Sequence, residues 1–168
     1  MTKDLSHFDD LGNARMVDVG NKPVTRRTAT AAGTVVISRS TANVIADGSA
    51  RKGDVLGTAR LAGIMACKQT PSLIPLCHII PIDTVEIQFE MLVTDDRHAH
   101  LQIQALVKST GTTGVEMEAL TAVTTAALTV YDMCKSMDRE MEIQNVRLVS
   151  KTGGSSGDFV RSSDNEGT

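Results

Sequence analysis

The chain has no tryptophan, and its 168 residues include only four other aromatics: Phe8, Phe89, Phe159 and Tyr131. Burial must therefore come from Ala, Val, Ile, Leu and eight methionines, which cover less area per side chain than rings do. Close packing of elements and a supporting subunit interface are expected. The same scarcity removes the aromatic platform on which sheet-based RNA binders stack bases. An excess of positive charge is missing as well. Seventeen basic residues face 20 acidic ones, for a net charge of −3, which gives no bulk attraction to nucleic acid or to an anionic membrane. Any anionic ligand must be met by a local cluster of cations. Cys67, Cys77 and Cys134 are odd in number, widely spaced and without a C-x-x-C pair, so neither a disulfide framework nor a structural zinc site is expected. There is no charge-free apolar run of about 18 residues, and the opening MTKDLSHFDD lacks a signal-peptide hydrophobic region. The expectation is a soluble, unprocessed protein of the reducing cytoplasm.

What is present fits one domain over 1–168. Residues 1–28 are polar, weakly periodic and broken by Gly12, Gly20 and Pro23, which reads as an extended arm. The core spans 29–151, and the Gly/Ser-rich stretch 152–168 reads as a flexible tail. Within the core, Gly33 to Ser38 predicts a β-branched strand, and Ser40 is the N-cap candidate of a helix ending near Gly48. Asp54 opens a longer helix, VLGTARLAGIMACK, whose Ala59, Ala62, Gly63 and Ala66 permit a close approach to a neighbour. Thr70 to Pro81 holds three prolines and predicts a structured apolar loop. Thr84 to Val93 and Ala99 to Lys108 alternate in polarity across the charged turn from Thr94 to Arg97, a hairpin signal. A long helix from about Gly114 to Met137 and a strand near Met141 to Val149 complete the order β-α-α-β-β-α-β. That order predicts an α+β, ferredoxin-like sandwich, an antiparallel sheet with its helices on one face.

The long helix carries acids at one end and an Asp/Lys pair at the other. Thr113-Gly-Val-Glu116 matches the S/T-x-x-E capping box. Glu118 admits two readings, interaction with the helix dipole or contact with a ligand's amino or amide edge. Asp132 and Lys135 stand at i,i+3, the spacing of an ordinary solvated ion pair. They lie, however, among Tyr131, Met133 and Cys134 on an otherwise uncharged stretch, where the Asp can serve as base and a desolvated Lys as acid or phosphate partner. Glu118 and Asp132 are separated along the helix by about 21 Å at about 1.5 Å per residue. One compact ligand cannot touch both ends of one helix, so a pocket shared between subunits is implied if both ends are functional. Arg51-Lys52-Gly53-Asp54 sets two cations before a helix N-terminus, as a solvated loop or as an anion site. It is not a Walker A loop. His78 in its apolar stretch reads as a hydrogen-bonded core histidine, since adjacent Cys77 and His78 are poorly spaced for one metal. Arg26, Arg27 and Lys151 read as solvated charges beside flexible segments.

Taken together, the motifs MVDV (Met16 to Val19), KGDV (Lys52 to Val55), ARLAGIMA (Ala59 to Ala66), LIPLCH (Leu73 to His78), TGVEMEALTAV and YDMCK resemble the cyclic pyranopterin monophosphate synthase family, the C accessory protein of molybdenum cofactor biosynthesis. The likeness runs from about Leu5 to Gly157. It implies conversion of a cyclised dihydro-GTP intermediate into cyclic pyranopterin monophosphate with release of pyrophosphate. The resemblance further implies an acid/base centre of Asp132, Lys135 and Lys52, and a substrate site lined by Leu76, Cys77, His78, Met117 and Glu118. Glu116, Arg27 and Lys151 follow as supporting contacts. It implies a homo-oligomer, a hexamer built as a trimer of dimers. No cofactor is expected, and whether Mg²⁺ accompanies the triphosphate is left open by the residues. Two positions depart from the family pattern. Ile79 stands where proline often follows LCH, and Ser155 stands where the GG-x-SG motif usually has a basic residue. The competing class is a non-catalytic module that binds a nucleotide or pterin and regulates a partner, binding ligand without releasing pyrophosphate.

Overall fold

In the computed structural model, which describes residues 11–162, the elements in chain order are β1 (Thr25–Ser38), α1 (Arg39–Ala46), α2 (Val55–Leu73), β2 (Thr84–Val93), β3 (His98–Gly111), α3 (Glu116–Cys134), β4 (Glu142–Thr152) and β5 (Phe159–Val160). The strands form one antiparallel sheet in the order β2-β3-β1-β4-β5. Its first four strands and intervening helices give the expected ferredoxin-like α+β sandwich. Alternation fixes the buried face: Ala29, Ala31, Val35 and Ile37 of β1 stand opposite Val107, Ala105, Leu101 and Ala99 of β3, and all are at most 1% exposed. Each large aliphatic side chain so buried contributes roughly 1.5–3 kcal/mol. α3 lies over β1, β3 and β4, α2 lies over β2, and the two helices pack against each other.

Small residues set that helix spacing. A Cβ on Gly63 of α2 would lie 2.5 Å from Ile87 Cδ1 and 2.8 Å from the Ala122 carbonyl oxygen of α3. Gly33 is likewise required in β1, where a Cβ would come within 2.8 Å of Val123 Cγ1 and 3.1 Å of Val146 Cγ2. The β1–β4 register shifts between Thr30 and Ala31 and again across Gly33, between Ala32 and Thr34, and Asn145 of β4 adopts φ 55° there, as bulged strands do.

Several local expectations are corrected. β1 begins at Thr25 and not at Gly33, so it takes over the end of the presumed arm, because Arg27, Ala29 and Ala31 continue the buried alternation. Residues 11–24 are non-helical, as expected, and the part of the arm over 1–10 lies outside the described residues. Ser38, not Ser40, caps α1 by accepting from the Thr41 amide at 3.3 Å. Asp54 caps α2 as expected, accepting from Gly57 N at 2.8 Å. α2 runs on through Pro71 to Leu73, where a loop was expected. Proline has no N–H for the Cys67 carbonyl four residues back, and the Thr70 hydroxyl donates to that oxygen instead, at 3.0 Å. The tail is not wholly flexible, since Phe159 and Val160 pair with Lys151 and Ser150. Residues 163–168 lie outside the described part.

Candidate functional site

Two polar groups occupy opposite ends of α3. At its C-terminal end the last carbonyls lack helical partners and carry partial negative charge. The turn before α2 brings Lys52 there, where Nζ donates to the Asp132 carbonyl oxygen at 2.7 Å and to Oδ2 at 3.1 Å. Lys135 Nζ donates to Oδ1 of the same carboxylate at 2.7 Å. Bonds from Lys135 and then Lys52 hold the Asp132 carboxyl below the usual carboxylate range. Asp132 in turn raises the Lys135 ammonium above its ordinary value. The expectation of a desolvated lysine is thereby corrected. All three side chains are about half exposed, and the neighbouring carboxylate, not burial, sets the direction of the Lys135 shift. One carboxylate between two ammonium groups leaves a net positive centre open to solvent, able to receive an anion.

The N-terminal end of α3 faces a cleft of about 710 Å³. Its walls are Val17, Val19 and Lys22 from the arm, Ile74 to His78 and Ile80 from the loop after α2, and Thr113, Gly114 and Glu116 to Glu118 at the helix start. Leu76, Cys77, His78, Glu116, Met117 and Glu118, proposed from sequence, thus meet in one place. Glu118 is 1% exposed, and burial pushes its carboxyl above the ordinary value. The Cys77 thiol donates to Glu118 Oε1 at 3.5 Å. Burial first, and then the Glu118 charge, push that thiol up to about 11. His78 Nε2 donates to the Val17 carbonyl oxygen at 2.8 Å, since a carbonyl only accepts. The arm is thereby tied to the loop. This places His78 in the cleft wall and not in the core.

Glu116 is not the capping residue that its motif predicts. Val115 occupies the N-cap position with no side-chain cap bond, and the Glu116 carboxylate pairs with Lys151 Nζ at 2.9 Å. Lys151 Nζ also donates to Ser156 Oγ at 3.1 Å, so it stands at the rim of the cleft and is not a freely solvated charge. Arg27, expected to be solvated or ligand-facing, is 6% exposed. Its guanidinium donates to the carbonyl oxygens of Gly111 and Thr112 at 3.4 and 3.3 Å. It also fills the space that a Cβ on Gly154 would need, so it braces the glycine turn. Lys52, Asp132 and Lys135 do not line this cleft. Residue-by-residue reading missed Val17, Val19, Lys22, Thr113 and Gly114 as cleft residues. The MVDV motif marked Val17 and Val19, and TGVEMEALTAV marked Thr113 and Gly114, but nothing pointed to Lys22, because a non-periodic arm gives no signal of what it packs against. Among the described residues no group of three or more His, Cys, Asp or Glu side chains could hold a metal ion, and no helix is long and apolar enough to cross a membrane.

Known proteins resemble this chain over nearly its whole length. Residues 16–154 match the model of the MoaC family, a span that takes in Lys52, Asp132, Lys135 and every residue lining the cleft. A cyclic pyranopterin monophosphate synthase of Heliobacterium modesticaldum is 55% identical over 157 residues, 94% of this chain and 97% of the relative. The protein of the same name from Clostridium botulinum is 54% identical over 160 residues, 95% and 99% of the two chains, and that of Magnetococcus marinus is 55% identical over 157 residues, 94% of each. With the family model covering most of the described residues and such identity over nearly the full length of each relative, this chain belongs to the MoaC family.

Proposed function

We propose that this protein is a cyclic pyranopterin monophosphate synthase of molybdenum cofactor biosynthesis. It converts the cyclised dihydro-GTP intermediate into cyclic pyranopterin monophosphate and pyrophosphate, acting as a phosphorus–oxygen lyase. The observation that carries this reading is the Lys52–Asp132–Lys135 centre at the end of α3, in a chain about 55% identical to relatives of that name. Rearrangement of the rings needs proton transfers. Closure of the cyclic phosphate has a substrate hydroxyl attack the α-phosphorus as the bond to pyrophosphate breaks. The hydroxyl proton passes to a base, and no oxidant or reductant is needed. Lys52 and Lys135 supply positive charge where pyrophosphate departs. Asp132 holds both ammonium groups until substrate arrives and then takes part in proton transfer. Leu76, Cys77, His78, Met117 and Glu118 receive the base and sugar, and Glu116, Arg27 and Lys151 support that wall.

Glu118 and Asp132 lie about 21 Å apart along one helix. The complete site is therefore assigned to a homo-oligomer, a hexamer formed as a trimer of dimers, in which one subunit's cleft meets a neighbour's Asp/Lys end. The reaction belongs in the cytoplasm with its nucleotide-derived substrate. Incubation of the purified protein with the cyclised intermediate should yield pyrophosphate and the cyclic monophosphate in equal amounts. Lys52→Ala should abolish both while its circular dichroism stays native. Pyrophosphate release by Lys52→Ala at the wild-type rate would overturn the catalytic assignment, and binding without any release by the wild type would favour a regulatory module.

A further inference from the structure

We propose that Lys22, on the arm, is a substrate-binding cation that holds the phosphate end of the nucleotide in the cleft, an inference that rests on the nucleotide-derived substrate proposed above. Besides Cys77, four ionisable side chains line the cleft: Lys22, His78, Glu116 and Glu118. The Glu116 charge is already matched by Lys151 at 2.9 Å. His78 spends its Nε2 proton on the Val17 carbonyl at 2.8 Å, leaving Nδ1 as an acceptor in the neutral ring. Glu118 is buried beside the Cys77 thiol and repels an anion when ionised. Lys22 is thus the one lining lysine or arginine among the described residues, and it has no ion-pair partner among them.

Its position is built and not accidental. The Asp18 carboxylate accepts from Gly20 N at 2.8 Å, and Lys22 N donates to Val19 O at 3.1 Å. These bonds close a turn whose first residues are fastened to His78 through Val17. A flexible lysine on such a turn reaches a phosphate at little ordering cost to the backbone. The other cations proposed to act, Lys52 and Lys135, are bound to Asp132 at the far end of α3. Within one subunit they cannot serve this cleft. The lining thus offers both an acceptor, Glu118, for amino and amide edges and a cation, Lys22, for phosphate.

Equilibrium binding of GTP and of guanosine to the full-length protein tests this without turnover. Lys22→Gln should weaken GTP binding about tenfold and flatten its dependence on salt, with guanosine affinity unchanged and GTP affinity largely restored in Lys22→Arg. Lys108→Gln removes an equal charge from the Glu86 pair on the sheet and should leave GTP binding at the wild-type level. With the cyclised intermediate, kcat/KM of Lys22→Gln should fall about tenfold and kcat by less. Equal losses for GTP and guanosine, no loss for either, or a wild type that binds GTP no better than guanosine would each overturn the role. A protein that binds GTP in a Lys22-dependent way yet forms no pyrophosphate would refute the synthase reading alone.

Discussion

Gly63→Ala changes one hydrogen for a methyl group at the point where α2 and α3 come closest, so its cost can be worked out from the distances. The new Cβ would lie 2.5 Å from Ile87 Cδ1, 2.8 Å from the Ala122 carbonyl oxygen and 3.4 Å from Ala126 Cβ. Ile87 Cδ1 ends a rotatable side chain and can swing away, but the Ala122 oxygen belongs to the α3 backbone. Relief therefore requires the helices to separate, and overpacking of this kind costs about 1–3 kcal/mol. Two contacts are violated at once and one of them cannot yield, which places the cost in the upper part of that range. Alanine returns about 1 kcal/mol through its better helix propensity. The net loss is about 1–2 kcal/mol, equivalent to a fall of about 2–8 °C in Tm for a domain of this size. Urea unfolding followed by circular dichroism should show a lower midpoint with an unchanged slope. Because α2 leads directly into the Ile74 to His78 wall of the cleft, the same shift should weaken GTP binding. A Gly63→Ala midpoint equal to or above that of the wild type would refute the claim that this glycine sets the helix spacing.

Glu118 makes a pH-dependent contribution of definite sign. Its folded-state carboxyl lies above the ordinary value because of burial, so the native chain holds that proton more tightly than the unfolded chain. The resulting stability is full below the unfolded value and is lost as pH rises through the folded one. Glu118→Gln should therefore unfold at higher urea than the wild type at pH 8, with the difference closing toward pH 4, and a constant difference across that range would refute it. Cys77, held at about 11 by burial and by Glu118, should react with iodoacetamide at pH 8 at least tenfold more slowly than free cysteine. Glu118→Gln should speed that reaction in part, because burial remains. Peptide mapping reads the rate, and alkylation of wild-type Cys77 at the free-cysteine rate would contradict its environment.

The fold was legible wherever periodicity is strong. The β2–β3 hairpin ends where its charged turn predicts, and Asp54 caps the start of α2. The errors came from positions where tertiary partners override local preference. Pro71 reads as a breaker until Thr70 is seen to bond the Cys67 carbonyl. Thr113 and Glu116 read as reciprocal caps until Lys151, far along the chain, takes the carboxylate. Arg27 looked solvated because no local pattern shows that it packs beneath Gly154. The separation of the two polar ends of α3 followed from helix rise alone, whereas the contribution of the arm to the cleft needed coordinates. The approach of Lys52 to Asp132 spans 80 residues of sequence, and only the family likeness had set the two together.

β1 stands at the middle of the sheet, and this position governs how the chain must assemble. It leaves the ribosome before either of its neighbours, yet its pairing with β4 joins Thr28 to Thr152 and Val36 to Glu142. Such pairings close long loops before they are rewarded, and topologies dominated by them fold slowly. Until β4 has been made, the side of β1 that it will cover presents unpaired amide and carbonyl groups, the kind of edge through which nascent chains associate. The most interior strand of the finished sheet is thus its longest-lived open edge during synthesis, and loss of β4 would be expected to appear first as aggregation.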